Sequence, residues 1–119
     1  MKKFFKGFQY AFAGIVYALK TQVNMQFHFV ASFVVLFCAL YFQISSLEAL
    51  LLCLAVGIVW ITELFNTAIE AVCDRISKDI HPLCKVAKDC AAAAVLIAAF
   101  LAIAIGLFVF YKYFLAFFQ

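Results

Sequence analysis

Three long apolar stretches, from about Phe27 to Phe42, from Leu47 to about Ala71 and from about Ala87 to Phe110, constrain this chain more than any other feature. A hydrocarbon core about 30 Å thick takes about 20 helical residues to cross, so the second and third stretches are ample and the first is marginal in length. Inside lipid every backbone polar group needs a partner from the chain itself. These runs lack the strict alternation and short turns of a membrane barrel, so each is expected to be a helix. The expected fold class is all-α: one integral-membrane domain, residues 1–119, with transmembrane spans at 27–42, 47–71 and 87–110.

Composition excludes the main alternatives. The chain is 70% hydrophobic and 13% charged, against roughly half and about a quarter in soluble globular proteins. Neither a soluble domain, a disordered tail nor a nucleic-acid binder fits, despite the net charge of +3. Cys38, Cys53, Cys73, Cys84 and Cys90 fall in apolar or helix-patterned stretches without paired spacing. They read as small hydrophobes rather than as a disulfide framework.

Ahead of the first span, Phe4, Phe5, Phe8, Phe12, Ile15, Val16 and Leu19 share a helical arc of about 120°, with Lys6, Ala13 and Lys20 opposite. Residues 1–20 are therefore expected to form an amphipathic interfacial helix. Ala11-Phe12-Ala13 has the look of a signal-peptide cleavage site, but Lys6 and Gln9 break the apolar core that such a peptide needs. Lys2, Lys3, Lys6 and Lys20 precede the first span, and Arg75, Lys78, Lys85 and Lys88 surround the loop between the second and third. The connection from Gln43 to Glu48 has no Lys or Arg, and Lys112 alone lies at the far end. Positive residues favour the cytoplasmic side, which places the N-terminus and the second loop there.

Glu63, Asn66, Thr67, Glu70 and Asp74 lie within about 100° of one another on the second spanning helix, a polar stripe along one face. At 1.5 Å per residue from Leu47, Glu63 sits about 24 Å in, near the inner edge of the hydrocarbon, with Glu70 and Asp74 at or beyond it. Polar residues of this kind can join helices by hydrogen bonds, which is a sufficient reading for a lone Asn. A row of carboxylates is a different matter, because each adds desolvation cost and mutual repulsion. Oxygen ligands facing the cytosol suit a hard divalent cation that bridges phosphates.

Across the short loop Lys78-Asp79-Ile80-His81-Pro82, where Pro82 is compatible with a helix N-terminus, the third spanning helix opens with Lys85, Lys88 and Asp89. Lys88 reads either as a lysine snorkelling to the interface or as a phosphate partner, the second gaining weight from the carboxylates across the loop. His81 reads equally as an interfacial loop residue or a nucleotide contact. The small residues Cys90-Ala91-Ala92-Ala93-Ala94 permit close helix approach and, in a bundle this thin, self-association. Gly7, Gly14, Gly57 and Gly106 do not form P-loop spacing, so a nucleotide site here must be of another kind.

The run Glu63-Leu64-Phe65-Asn66-Thr67-Ala68-Ile69-Glu70-Ala71-Val72-Cys73-Asp74-Arg75, with His81-Pro82-Leu83, Ala87-Lys88-Asp89 and Ala93-Ala94-Val95-Leu96-Ile97, resembles the small prokaryotic integral-membrane lipid kinases. That family comprises bacterial diacylglycerol kinases and their undecaprenol kinase relatives. A weaker likeness at Phe8, Tyr10, Ala11 and Gly14 extends the resemblance over nearly the whole chain.

The resemblance implies ATP-dependent phosphorylation of a lipid hydroxyl by a homotrimer in the bacterial inner membrane, with Mg2+ as cofactor and composite sites between neighbouring subunits. It implies Glu63 as general base, Glu70 as metal ligand, Asn66 and Asp74 as supports, and Tyr10, Asp79, His81, Lys88 and Asp89 as nucleotide contacts. At the position where the family usually has a second metal-binding glutamate this chain has Gln22, an amide that offers an oxygen without the charge. Asn24, His28 and His81-Pro82-Leu83 look more like the undecaprenol branch than the diacylglycerol branch.

Two other readings compete. A small oligomeric transporter or proton-coupled channel accounts for Glu63 but gives Lys88 and Asp89 no task. An assembly or regulatory subunit that has lost catalysis accounts for Gln22.

Overall fold

The computed structural model describes residues 1–76 and 81–119 and contains four helices: α1 (Lys2–Thr21), α2 (Val23–Phe42), α3 (Ser46–Ile76) and α4 (Pro82–Phe117). Three of them, α2, α3 and α4, are long and apolar enough to cross a membrane. The all-α fold and the three spanning helices thus match the sequence expectation. Lys78 and Asp79 lie outside the described residues.

The helices outrun the apolar stretches. With 31 and 36 residues, α3 and α4 are about 46 and 54 Å long, well beyond the thickness of the hydrocarbon. Hydropathy marks where a helix meets lipid, whereas the helix itself continues as long as its backbone ladder does. The extra turns extend α3 and α4 beyond the apolar stretches and include Asp74, Arg75 and Lys85.

Local chemistry sets the breaks between helices. Gln22 alone separates α1 from α2, extended at φ −114° and ψ 115°. Its N–H still bonds Ala18 O at 2.9 Å, and its carbonyl accepts from Gln26 N at 3.2 Å, so the chain turns without losing either bond. At the other end of α2, Gln43 is left-handed at φ 52°. Ile44 N bonds Ala39 O and Gln43 N bonds Leu40 O, the paired closure of a Schellman motif.

The connection expected over Gln43 to Glu48 is shorter than its composition suggested, because Ser45 and Glu48 form a capping box. Glu48 N donates to Ser45 Oγ at 3.3 Å and Ser45 N donates to Glu48 Oε2 at 3.0 Å, so α3 already begins at Ser46. His81 caps α4 in a similar way, its Nδ1 accepting from Leu83 N at 3.2 Å, with Pro82 in the first turn.

Most interhelix packing is between α3 and α4, with α2 against α3 and α1 against both α2 and α3. Leu52, Val109 and Phe110 form the buried centre at one end, with Phe42 and Tyr113 packed on it. Further along, Ala55, Val59, Val95 and Ala98 are buried. The small-residue run contributes less than expected within one chain: Ala92, Ala93 and Ala94 are exposed, and the close contact has passed to Val95 and Ala98. A helix presents only every third or fourth residue to one neighbour, so only one edge of a continuous small-residue run can face α3. Phe4, Phe5, Phe8 and Phe12 are exposed along α1, as an apolar face meant for lipid would be.

Candidate functional site

The polar stripe of α3 is turned inward. Glu63 is completely buried, and Asn66 and Thr67 are 5% and 6% exposed. The Thr67 hydroxyl donates to its own helix, at Glu63 O 2.8 Å away, and so is satisfied locally. Both carboxylate oxygens of Glu63 and Oδ1 of Asn66 have no hydrogen-bond partner among the described residues. Buried acceptors left unbonded are costly and uncommon, which makes Glu63 and Asn66 candidates for a functional site.

Two turns further along α3, Glu70 is half-buried. Gln22 reaches it from the α1–α2 break, Nε2 donating to Glu70 Oε2 at 2.9 Å. The structure thus joins the two residues expected to share a metal. A carboxylate oxygen and an amide carbonyl oxygen are of the hard type that magnesium takes, although here the amide turns its nitrogen to Glu70, and among the described residues no group of three or more His, Cys, Asp or Glu side chains could hold a metal ion.

One more turn along, Asp74 Oδ1 accepts from Lys88 Nζ at 2.7 Å, closing α3 against α4. These side chains are 69% and 41% exposed, which leaves the lysine reachable from solvent. Asp89 is not part of this contact: it pairs with Lys85 at 2.6 Å on the exposed side of α4. The i,i+4 spacing favours that local ion pair, whereas Lys88 lies on the flank that meets α3. His81 is exposed, with Nδ1 engaged as the α4 cap.

Tyr10 lies apart from these pairs, on a shallow groove of about 400 Å³ between α1 and α3 lined also by Gly14, Tyr17, Leu64, Thr67 and Ala68. The groove runs beside the buried stripe, since Thr67 belongs to both. A larger apolar groove of about 620 Å³ lies between α2 and α3, from Phe29 and Trp60 to Ile44 and Ala49. Its polar members Ser32 and Trp60 are bonded to each other, Trp60 Nε1 donating to Ser32 Oγ at 2.9 Å.

A second polar centre went unread in the sequence. Glu48, 9% exposed, accepts from Lys112 Nζ at Oε1 and from Tyr113 Oη at Oε2, at 2.5 and 2.6 Å. Ser45-Ser46-Leu47-Glu48 spells a capping box and was the available local signal. Nothing local links Glu48 to residues 112 and 113.

Residues 9–110 match the family model described as prokaryotic diacylglycerol kinase. The chain is 41% identical over 110 residues to undecaprenol kinase of Bacillus subtilis, covering 92% of this chain and 89% of that protein. It is 41% identical over 100 residues to a diacylglycerol kinase of Synechocystis, covering 83% of this chain and 57% of that protein. It is 35% identical over 94 residues to diacylglycerol kinase of Escherichia coli, covering 79% and 77%.

Proposed function

The chain belongs to the prokaryotic diacylglycerol kinase family and is a membrane-bound lipid kinase, and from that premise we propose that it transfers the γ-phosphoryl group of ATP to the hydroxyl of undecaprenol. The observation that carries this reading is the buried Glu63 with both oxygens unpaired among the described residues, on the helix face that ends at Asp74 and its partly exposed partner Lys88. An apolar alcohol reaches Glu63 from within the bilayer. A triphosphate reaches Lys88 from water.

In the reaction, the substrate hydroxyl gives its proton to a Glu63 oxygen as its own oxygen attacks the γ-phosphorus. The bond to the β-phosphate bridging oxygen breaks, leaving ADP and the lipid phosphate. Catalysis of this type rests on positioning and charge compensation. Asn66, on the same face, orients the acceptor, and Lys88 compensates phosphate charge after loosening its hold on Asp74, an exchange made cheap by the exposure of both side chains. Glu70 and the carbonyl of Gln22 would hold magnesium, which when bound offsets the charge of the phosphate oxygens. Tyr10 and Asp79 complete the nucleotide contacts, along with Nε2 of His81. Asp89 acts through Lys85, holding that lysine at the mouth of the site.

Undecaprenol is favoured over diacylglycerol by the extent of the likeness to the Bacillus subtilis enzyme and by Asn24, His28 and His81-Pro82-Leu83. The setting is the bacterial inner membrane with the N-terminus cytoplasmic, as the distribution of Lys and Arg indicates. The assembly is a homotrimer, which would cover apolar helix faces that a single chain leaves exposed. Incubating the purified protein with γ-labelled ATP, magnesium and either alcohol tests the reading. Label in undecaprenol phosphate at several times the rate of phosphatidic acid supports it; preference for diacylglycerol reverses the substrate assignment.

A further inference from the structure

Cys73 and Cys84 meet where the C-terminal end of α3 packs on the first turn of α4. Cys73 Sγ donates to the carbonyl oxygen of Cys84 at 3.9 Å, and the Cys84 thiol is itself within hydrogen-bond reach of Cys73. Eleven residues separate them in sequence, and a connection that short keeps the two sulfurs near one another. Their surroundings differ: Cys73 is 7% exposed, whereas Cys84 is half-buried. An oxidant arriving from water therefore meets Cys84 first.

Phosphoryl transfer uses neither thiol, yet both adjoin a pair that it does use. Asp74 follows Cys73 on α3, and Lys88 lies one turn beyond Cys84 on the same flank of α4. The two cysteines and the Lys88–Asp74 ion pair are thus neighbouring rungs between the same two helices. The rungs differ in what can break them. An exposed ion pair exchanges with solvent at little cost. A disulfide confines both Cβ atoms to a narrow range and yields only to a reductant.

We propose that Cys73 and Cys84 are an oxidation site: hydrogen peroxide converts them to a reversible disulfide, which clamps α3 to α4 and holds Lys88 on Asp74. In the first step the Cys84 sulfur attacks one peroxide oxygen, the O–O bond breaks, and the other oxygen leaves as water, giving a sulfenic acid. The Cys73 sulfur then attacks the Cys84 sulfur and the S–O bond breaks. The departing hydroxide takes up the Cys73 proton as a second water. Two thiols have lost two electrons, and one hydrogen peroxide has become two waters. A reducing cytosol keeps the pair as thiols and returns the disulfide to them, so the bond is a transient response rather than a structural staple. Formation of the bond depends on the placement of the two sulfurs alone, whereas its effect on turnover rests on the kinase reading above.

The test uses the full-length protein in lipid nanodiscs, treated with hydrogen peroxide and mapped as peptides without reduction. Wild type is expected to yield Cys73 and Cys84 linked within one chain. Its lipid labelling should fall at least about tenfold, the loss expected when a hydrogen bond from a charged group to phosphate is withheld, and dithiothreitol should restore it. Cys73→Ser and Cys84→Ser should each abolish the linked peptide and the fall in labelling, with the exposed Cys53 and Cys90 left in place as controls for oxidation elsewhere. Cys73 and Cys84 recovered unlinked, under peroxide that oxidises Cys53 or Cys90, overturns the proposal, and so does a linked protein that turns over at the unoxidised rate. The mapping needs only wild type, so it decides the matter even where a serine variant does not fold. Failure of the kinase reading shows separately, as reduced wild type that labels no lipid; the linked peptide still decides whether the two sulfurs join.

Discussion

The Tyr113 hydroxyl donates to Glu48 Oε2 at 2.6 Å and binds one end of α3 to α4, while Lys88 and Asp74, at 2.7 Å, bind the opposite ends of the same two helices. The two ties differ in character. Glu48 is almost fully buried and also accepts from Ser45 N and Lys112, whereas the Lys88–Asp74 pair is largely open to solvent. One end is built for permanence and the other for exchange.

Tyr113→Phe should therefore lower stability and spare chemistry. Removing one donor from a buried carboxylate costs about 1–3 kcal/mol. Thermal unfolding in a fixed detergent should show the loss, with turnover per folded molecule within about twofold of wild type; a stable variant would show that Lys112 and Ser45 satisfy Glu48 without the tyrosine.

Glu63→Gln removes the proton acceptor at nearly constant shape. Lipid labelling is expected to fall by about 10²–10⁴-fold, the range associated with a general base, with assembly and thermal stability retained. Normal turnover in this variant would take Glu63 out of the reaction.

Lys88→Met should raise KM for ATP more than it lowers stability, since an exposed ion pair contributes at most about 1 kcal/mol. Asp74→Asn frees the lysine and is expected to change KM for ATP less. Steady-state kinetics at saturating lipid, set beside unfolding curves, separates the two effects.

Gln43→Gly addresses the α2–α3 corner. A side chain held at φ 52° costs about 1 kcal/mol relative to glycine. Part of that is returned by the greater freedom of glycine in the unfolded chain. A net rise in thermal midpoint with unchanged kinetics is expected; a fall would mean that the Gln43 side chain itself stabilises the corner.

Much of the architecture was legible because it is periodic. Apolar length marked the spanning helices, and the spacing of Glu63, Asn66, Thr67 and Glu70 placed them on one face before any packing was known. The helix limits were less legible. Hydropathy reports contact with lipid, so it stopped at Ala71 and Phe110, where α3 and α4 continue to Ile76 and Phe117.

By itself, then, the sequence determined that three helices can cross a bilayer and that acidic side chains line one face of the second, since both follow from composition and the 3.6-residue repeat. Tertiary structure alone decided which groups meet: Gln22 with Glu70, Lys88 rather than Asp89 within the row, and Glu48 with Tyr113, 65 residues apart. Contacts across such separations depend on how helices pack and rotate against one another, and no local repeat in the chain encodes that rotation.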